Sequence, residues 1–378
     1  MTLRGGHAMG NLILNSLEIR RFRAFEHLQI ERLGRVNLIV GKNNVGKTCL
    51  LEALQLFARR GSPELIWEIL GARNESWVSR PSRLANVEEL FPFLKYIFYG
   101  RKDVRTYPEP IQIGPISSLD EMLSVSVGWH TSQVDDEGHR KLQLIQPDEI
   151  DTVDNSILRF TIQFGKQPSV YYPIIFDPTL PRKVEIKEIN CIATMANGLA
   201  RRKIGALWDS ISLTDLESDV LDALRIIAPG VERLSLIEGP TPLREQDRLP
   251  IVKIIGMDEP LPLRSLGDGM QRLFGIALAL VNARNGLLLV DEIENGLHYS
   301  AQLDVWRLIN RLASRLNVQV FATTHSWDCI ESFQEASQED TQNEGVLVRL
   351  ENKKGKIVAT LFDEKELGIA TREQIEVR

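Results

Sequence analysis

The sequence has few cysteines and no long apolar run. Cys49, Cys191 and Cys329 stand far apart in a chain of 378 residues, which excludes a disulfide framework and a cysteine zinc site. The longest apolar runs, such as Leu287–Val290, have the length of a strand and are too short to cross a bilayer. The first residues are rich in glycine and lack the apolar stretch of a signal peptide. We therefore expect a soluble, cytoplasmic chain without membrane contact.

Basic residues are outnumbered by acidic ones. The chain has 45 Lys and Arg against 51 Asp and Glu, a formal net charge of −6, which argues against a polybasic protein that mainly grips phosphate backbones. Two local clusters keep nucleic acid open as a partner, one within residues 71–105 and the other at Arg201-Arg202-Lys203. The basic residues of the first cluster are Arg73, Arg80, Arg83, Lys95, Arg101, Lys102 and Arg105.

Periodicity predicts a mixed α/β fold. A short apolar strand over Val36–Val40 leads through a glycine loop into an amphipathic helix over Lys47–Ala58. Between about residues 109 and 190, short apolar runs bounded by Pro, Gly and Asp predict antiparallel strands. Helices are predicted over Ala193–Ser210 and Leu213–Ile227, and the last third alternates strand and helix in a βαβ series.

The strongest motif is a phosphate-binding loop at residues 41–48, which matches G-x-x-x-x-G-K-[ST] between a strand and a helix. In such a loop the backbone amides and the helix N-terminus attract phosphate, the lysine neutralises the β/γ oxygens, and the hydroxyl residue binds Mg²⁺. We expect it to bind ATP with Mg²⁺. The predicted ATP-binding residues are Gly41, Asn43, Asn44, Val45, Gly46, Lys47, Thr48 and Cys49.

A second motif is an apolar strand that ends in two acids, Leu287–Val290 followed by Asp291 and Glu292. Buried parallel strands deliver such carboxylates to the sheet edge where ligands bind. We expect Asp291 to hold Mg²⁺ together with Thr48, and Glu292 to orient or deprotonate the attacking water.

Two further motifs are weak signals alone but indicate a function when they occur together with the first two. Residues 265–272 place a serine and two glycines before an apolar helix, which taken alone is compatible with a simple helix cap. Residues 321–326 end a strand with His325, which we expect beside the acidic strand end and close to the γ-phosphate.

In this order, the four motifs resemble those of ATP-binding-cassette (ABC) ATPases. More narrowly, the chain looks like the stand-alone OLD-like branch, which is related to the ATPase heads of structural-maintenance-of-chromosomes (SMC) and RecF-type proteins. The opening run Leu17–Phe25 and the stretch Val36–Leu54 resemble the start of that group, and Asp291–His298 with Ala322–Ser326 resembles its closing half. The resemblance covers residues 12–58 and 263–330.

The resemblance implies an ATP-dependent head-to-tail homodimer. Lys47, Glu292 and His325 would be the catalytic residues. The signature segment of one subunit would touch the γ-phosphate held by the other. That segment comprises Ser265, Gly267, Asp268 and Gly269.

The resemblance also implies a fold and a division of the chain. The expected fold is an ABC-type, SMC/RecF-like head with a mixed sheet, an antiparallel β subdomain and an inserted helical region. Residues 12–60 would form the N-terminal part of the ATPase lobe, 61–230 the inserted helical and antiparallel region, and 231–378 the C-terminal lobe.

Three departures from the family pattern bear on function. Asp268 replaces a small residue of the signature, and Glu294–His298 replaces the usual Ser/Ala-Leu-Asp segment. The glutamine loop has no clear counterpart, with Gln112 as the one candidate. No Toprim nuclease pattern follows His325, so we expect a separate effector protein, for which a Toprim-type nuclease is one option. Phage defence is a role that this wider family suggests.

The alternatives belong to other functional classes. The chain could be a nucleotide-dependent scaffold or a DNA-binding, repair-type protein with little or no turnover. A GTPase is disfavoured because no Asn-Lys-x-Asp follows in the last third. A transporter subunit is disfavoured by the long β-rich stretch between Thr48 and Ser265.

Overall fold

A computed structural model of the chain describes residues 12–76, 87–101, 109–116, 118–134, 140–146, 149, 156–174, 187–238, 248–340 and 345–362. Its strands, in chain order, are β1 (Leu17–Phe22), β2 (Phe25–Ile30), β3 (Val36–Val40), β4 (Ile111–Gly114), β5 (Leu123–Val134), β6 (Arg140–Leu144), β7 (Ile157–Phe164), β8 (Val170–Pro173), β9 (Cys191–Thr194), β10 (Val231–Glu238), β11 (Arg248–Ile254), β12 (Leu261–Pro262), β13 (Leu287–Val290), β14 (Gln319–Thr323), β15 (Gly345–Lys353) and β16 (Lys356–Phe362).

The helices are α1 (Lys47–Ala58), α2 (Pro63–Ala72), α3 (Val87–Leu94), α4 (Arg201–Asp209), α5 (Asp215–Ile227), α6 (Asp268–Asn282), α7 (Tyr299–Arg315) and α8 (Trp327–Glu339). Short 3-10 helices span Lys95–Ile97, Tyr99–Arg101, Leu119–Glu121 and Leu263–Leu266. Within the described ranges, no helix has both the length and the apolar character needed to cross a membrane.

A six-stranded mixed sheet carries the candidate site. Its strand order is β16-β15-β3-β14-β13-β9, with every neighbouring pair parallel except β15 and β16. β13 and β14 are buried along their whole length, as expected for parallel strands covered on both faces. Because β3, β13 and β14 run parallel, their carboxyl ends meet at one edge of the sheet.

The two faces of this sheet belong to different hydrophobic clusters. Alternate side chains of β3 point to opposite faces: Ile39 packs with α1, α2 and an antiparallel sheet, whereas Val36, Leu38 and Val40 pack with helices α4–α8. The site edge is therefore held between two packed layers.

The antiparallel region forms a seven-stranded sheet in the order β2-β1-β4-β5-β7-β8, and β6 pairs with β5. A separate three-stranded sheet, β10-β11-β12, leads directly into the 3-10 helix Leu263–Leu266. The predicted α/β fold class, with a mixed sheet and antiparallel sheets, is confirmed.

One predicted helix was wrong in its first part. Residues 193–210 were expected to be helical throughout, but Cys191–Thr194 forms β9 and only Arg201–Asp209 is helical. β9 pairs in parallel with β13, Cys191 opposite Leu287, so pairing with a buried strand overrides the local preference.

The predicted boundaries at residues 60 and 230 stay a prediction. Within the 61–230 span, β9 lies in the same sheet as β3 and β13, and β4 continues the sheet that β1 and β2 begin.

Candidate active site

The loop between β3 and α1 has the backbone that a phosphate-binding loop needs. Gly41 and Gly46 have φ values of 146° and 91°, and Asn44 has φ 65°, in the region that favours glycine. A Cβ atom at Gly41 would lie 2.4 Å from the Leu350 carbonyl oxygen, and one at Gly46 would lie 2.9 Å from the Phe25 ring. Both positions therefore require glycine.

Lys47 and Thr48, the first two residues of α1, turn toward the loop and the strand end. The Lys47 ammonium donates to the Gly41 carbonyl at 2.6 Å and to the Lys42 carbonyl at 3.1 Å. Burial lowers the pKa of Lys47, although the nearby carboxylates of Asp291, Glu292 and Glu294 favour its charge. The first turn of α1 contains no acidic residue, so nothing there opposes the attraction of its N-terminus for an anion.

Asp291 lies at the end of β13, bound by two hydroxyls. Thr48 Oγ1 donates to one carboxylate oxygen at 3.0 Å and Thr323 Oγ1 to the other at 2.6 Å. Asp291 is 6% exposed, and its backbone N–H donates to the Thr194 carbonyl of β9. Hydroxyl and carboxylate oxygens are hard ligands of the kind that Mg²⁺ prefers, so Thr48 and Asp291 fit the expected metal.

Glu292 leaves the strand in an unusual backbone conformation. Its φ is 48°, a left-handed value that is strained for a non-glycine residue. Its backbone N–H donates to Thr323 Oγ1 at 2.8 Å, and its side chain is 39% exposed. The conformation turns a carboxylate out of the buried strand end into the open edge.

Arg272 binds the backbone of the same turn through hydrogen bonds to its carbonyl groups. It lies in α6, is 6% exposed, and donates to the carbonyls of Asp291 at 2.5 Å, Glu292 at 2.9 Å and Met195 at 2.6 Å. Burial lowers the pKa of its guanidinium, whereas the neighbouring carboxylates favour its charge.

His325 follows β14 and stands at the same edge. Its Nδ1 atom lies 3.2 Å from Glu294 Oε1 and 4.0 Å from Glu292 Oε1. The backbone N–H of His325 also donates to Glu294 Oε1 at 3.0 Å. The predicted catalytic residues Lys47, Glu292 and His325 are thus gathered at one sheet edge.

The predicted signature residues lie where the 3-10 helix Leu263–Leu266 leads into α6. Ser265, Gly267 and Asp268 are exposed, and no described hydrogen bond joins them to residues 41–49. A Cβ atom at Gly269 would lie 2.6 Å from the Gly296 carbonyl oxygen, so α6 begins in close contact with the segment after β13. Ser265, Gly267 and Asp268 therefore lie on the surface, whereas Gly269 packs against the turn after β13.

The remaining predicted residues differ in their surroundings. Asn43 and Asn44 are exposed at the loop, and Val45 is buried. The Cys49 thiol is buried against Arg73 Nη2 at 3.5 Å, and burial raises its pKa; only its backbone N–H is suited to a phosphate.

Other predicted residues lie outside the catalytic edge. Gln112, the glutamine-loop candidate, lies in β4 opposite Arg20 and Ser124, with no described hydrogen bond to the site. Of the basic clusters, Arg73 is paired with Glu52 at 2.6 Å, whereas Arg201–Lys203 is exposed. Arg80, Arg83, Lys102 and Arg105 lie outside the described residues.

Three residues of the site were not predicted from the sequence: Arg272, Thr323 and Glu294. A single arginine inside the apolar helix 270–281 is a signal for a buried contact, since an unpaired charge there would be costly. Thr323 is the last residue of a strand, and nothing in the sequence distinguishes it from other threonines at strand ends. Glu294 stood out only as a departure from the family pattern.

Two family models match parts of the chain. The model described as "AAA domain, putative AbiEii toxin, Type IV TA system" matches residues 200–328, and the model described as "AAA ATPase domain" matches residues 13–94. The first range includes the segment 265–272 and Asp291–Glu292, and the second includes the phosphate loop. Together they support an ATP-binding ATPase with AAA-type sequence in both halves.

Individual relatives are distant or short. An "ATP/GTP phosphatase" of Helicobacter pylori is 24% identical over 352 residues, covering 86% of this chain and 89% of the relative. The "DNA replication and repair protein RecF" of Thioalkalivibrio sulfidiphilus is 43% identical over 47 residues, covering 12% of this chain and 13% of the relative. Among solved structures, the Smc head domain bound to the C-terminal domain of ScpA, derived from Pyrococcus furiosus, has a TM-score of 0.48 at 11% identity, covering 95% of this chain and 99% of that one.

Proposed function

We propose that this chain is an ABC-type ATPase that binds Mg-ATP at the edge formed by β3, β13 and β14 and hydrolyses it. One observation carries the proposal. The hydrogen bond of 3.0 Å between Thr48 and Asp291 joins residues 243 positions apart, and it brings the phosphate-loop hydroxyl to the carboxylate that the acidic strand delivers. P-loop NTPases hold Mg²⁺ with a Ser or Thr of the phosphate loop and an Asp at the end of a strand.

Each residue at the edge has a defined part. Lys47 and the loop amides bind the phosphates, and Thr48 and Asp291 hold Mg²⁺, which supplies charge neutralisation when bound. Glu292, the most exposed carboxylate of the three near Lys47, orients the attacking water or accepts its proton. His325 follows the neighbouring strand β14, where its ring would contact the γ-phosphate.

The test is phosphate release from Mg-ATP, with nucleotide binding measured separately. Wild type should bind and hydrolyse, Lys47→Ala should lose binding, and Glu292→Gln should bind without hydrolysis. Glu335→Gln, which changes an exposed acid of α8, should behave as wild type. Equal hydrolysis by wild type and Glu292→Gln would contradict the role given to Glu292. Repeating the assay with GTP tests the preference for adenine, since the Helicobacter relative is named for both nucleotides.

We further propose that ATP drives head-to-tail dimerisation. The exposure of Ser265 and Gly267, just before α6, supports this, because both residues are accessible to a second subunit. Binding of the γ-phosphate by both subunits would then stabilise the dimer, and loss of that phosphate would release it.

The output of this cycle is proposed to be a separate effector or a nucleic-acid transaction. The exposed cations of Arg201–Lys203 are compatible with nucleic acid, and the family resemblance suggests an effector protein. Phage defence rests on family resemblance alone. Co-purification from the native cell, with and without Glu292→Gln to trap the ATP state, would identify the partner.

A second candidate is a nucleotide-dependent scaffold with little turnover. Asp268 favours it, because an exposed carboxylate in the first turn of α6 would stand near the partner's phosphates. Nucleotide-dependent dimerisation without phosphate release in wild type would select this function over the first.

A further inference from the structure

Glu294 is buried in a way that neither Mg²⁺ binding nor the attack of water explains. Its side chain is 9% exposed, and its buried Oε2 atom has no hydrogen-bond partner among the described residues. A carboxylate held this way is costly unless its other contacts repay the burial. Among the described residues, the hydrogen bond and the short ion pair of this carboxylate both go to His325.

One carboxylate oxygen of Glu294 lies close to both the backbone N–H and the ring Nδ1 of His325. Oε1 accepts the backbone N–H of His325 at 3.0 Å and lies 3.2 Å from its Nδ1. The distance from Nδ1 to Glu292 Oε1 is 4.0 Å, too long for a hydrogen bond. His325 is therefore tied to the buried acid and not to the exposed one.

The backbone around Glu294 is itself fixed by hydrogen bonds. Its carbonyl accepts the Leu297 N–H at 2.9 Å, and the Asn295 side chain donates to the Ala196 carbonyl at 2.9 Å. The turn after β13 thus offers Glu294 as a rigid point from which a neighbouring ring can be oriented.

We propose that Glu294 is a positioning residue that orients His325 through Nδ1. The Nδ1–H donates to Glu294 Oε1, which turns Nε2 toward the exposed side of the ring. Nε2 is an acceptor in the neutral ring, and only the imidazolium form, in which both nitrogens carry a proton, can donate from Nε2 to the γ-phosphate. It also leaves Glu292 free for the attacking water, because the histidine already has a carboxylate partner. The kinetic part of this proposal rests on the proposed ATPase function.

Three variants of Glu294 separate the position of its acceptor oxygen from the charge of its carboxylate. Glu294→Gln keeps an acceptor oxygen at the same reach without the charge, and Glu294→Asp keeps the charge but withdraws the acceptor by one methylene. We expect Glu294→Gln to retain kcat within about fivefold, and Glu294→Asp and Glu294→Ala to lose about 10- to 100-fold in kcat with little change in KM. Glu335→Ala, at an exposed acid of α8, is the matched control.

A double-variant cycle tests whether Glu294 acts through His325. If it does, adding Glu294→Ala to His325→Ala should cause no further loss in kcat. If the losses in kcat of the two single variants multiply in the double variant, the proposal is wrong. An active Glu294→Asp together with an inactive Glu294→Gln would also overturn it.

The tautomer of the His325 ring can be measured by spectroscopy, independently of ATP hydrolysis. The chain has six histidines, so proton–nitrogen correlation spectra of histidine-labelled protein can resolve the ring of His325, assigned by its loss in His325→Asn. Wild type should show the Nδ1–H tautomer, and Glu294→Ala should shift toward Nε2–H. An unchanged tautomer in a folded Glu294→Ala would refute the proposal. Because this measurement needs no hydrolysis, failure of the ATPase function alone would not affect it.

Discussion

Replacement of Arg272 by methionine tests how the catalytic turn is held. Arg272 donates to three backbone carbonyls at 2.5, 2.6 and 2.9 Å, and methionine preserves the apolar stem while removing all the donors. The change therefore isolates the polar contacts of one buried guanidinium.

The expected loss of stability follows from two opposing terms. Hydrogen bonds to a charged group contribute about 1.5–3 kcal/mol each, so three of them give a gross loss of about 4.5–9 kcal/mol. Removing a buried charge offsets several kcal/mol of this loss, because the desolvation cost of the guanidinium disappears. Within the described part of the chain, the Nε atom of Arg272 has no hydrogen-bond partner to lose. We expect a net decrease of about 2–4 kcal/mol in the free energy of unfolding.

The effect on catalysis should exceed the effect on binding. Glu292 has φ 48°, and loss of the contact to its carbonyl would let the turn relax to an unstrained conformation. A displacement of about 1 Å at a catalytic group can cost about 100-fold in rate. We therefore expect kcat to fall by about that factor, with the affinity for ATP nearly unchanged because Lys47 and its loop are intact.

Denaturant unfolding and phosphate release measure the two effects in the same preparations. Arg284→Met, at an exposed arginine just beyond α6, is the control, and Arg272→Lys should be intermediate because an ammonium cannot span all three carbonyls. A stability change below about 1 kcal/mol together with an unchanged kcat would refute the reasoning.

Three further predictions concern dimerisation, nuclease activity and pH. Ser265→Arg should prevent the Mg-ATP-dependent dimer of the Glu292→Gln protein in sedimentation; an unaffected dimer would reject a signature acting in trans. The isolated chain should leave plasmid, linear DNA and tRNA intact with Mg²⁺ or Mn²⁺ and ATP; cleavage lost through a carboxylate variant outside residues 291–292 would reveal another active site. Burial raises the pKa of Cys329 to about 12. Because the folded state keeps a proton that the unfolded thiol releases, Cys329 should contribute a fall of about 1.4 kcal/mol per pH unit in the free energy of unfolding between pH ~9 and pH ~12, and Cys329→Ala should reduce the measured slope by about that amount.

The sequence was sufficient where one local rule decided the outcome. The glycine loop, the helix Lys47–Ala58 and the strand Leu287–Val290 lie where periodicity and motif placed them. The parallel order of strands then brings residues 41–48, Asp291 and His325 to one edge, as the general geometry of α/β sheets requires.

The sequence was insufficient where a partner distant in the chain decided the outcome. β9 forms because β13 offers a parallel edge, and nothing local in residues 191–194 distinguishes that strand from the start of a helix. Thr323 becomes part of the site only because its hydroxyl reaches both the Asp291 side chain and the Glu292 backbone. Such roles depend on angles and distances that a motif does not contain.

The three acids after β13 illustrate how one short segment supplies different chemistry. Asp291 is buried between two hydroxyls, Glu292 is 39% exposed, and Glu294 is 9% exposed against His325. All three favour the charge of Lys47, yet their surroundings suit one to a metal, one to water and one to a histidine. Burial, more than residue type, therefore separates the parts of this site, and a substitution that preserves the carboxylate but changes its depth should be as damaging as one that removes it.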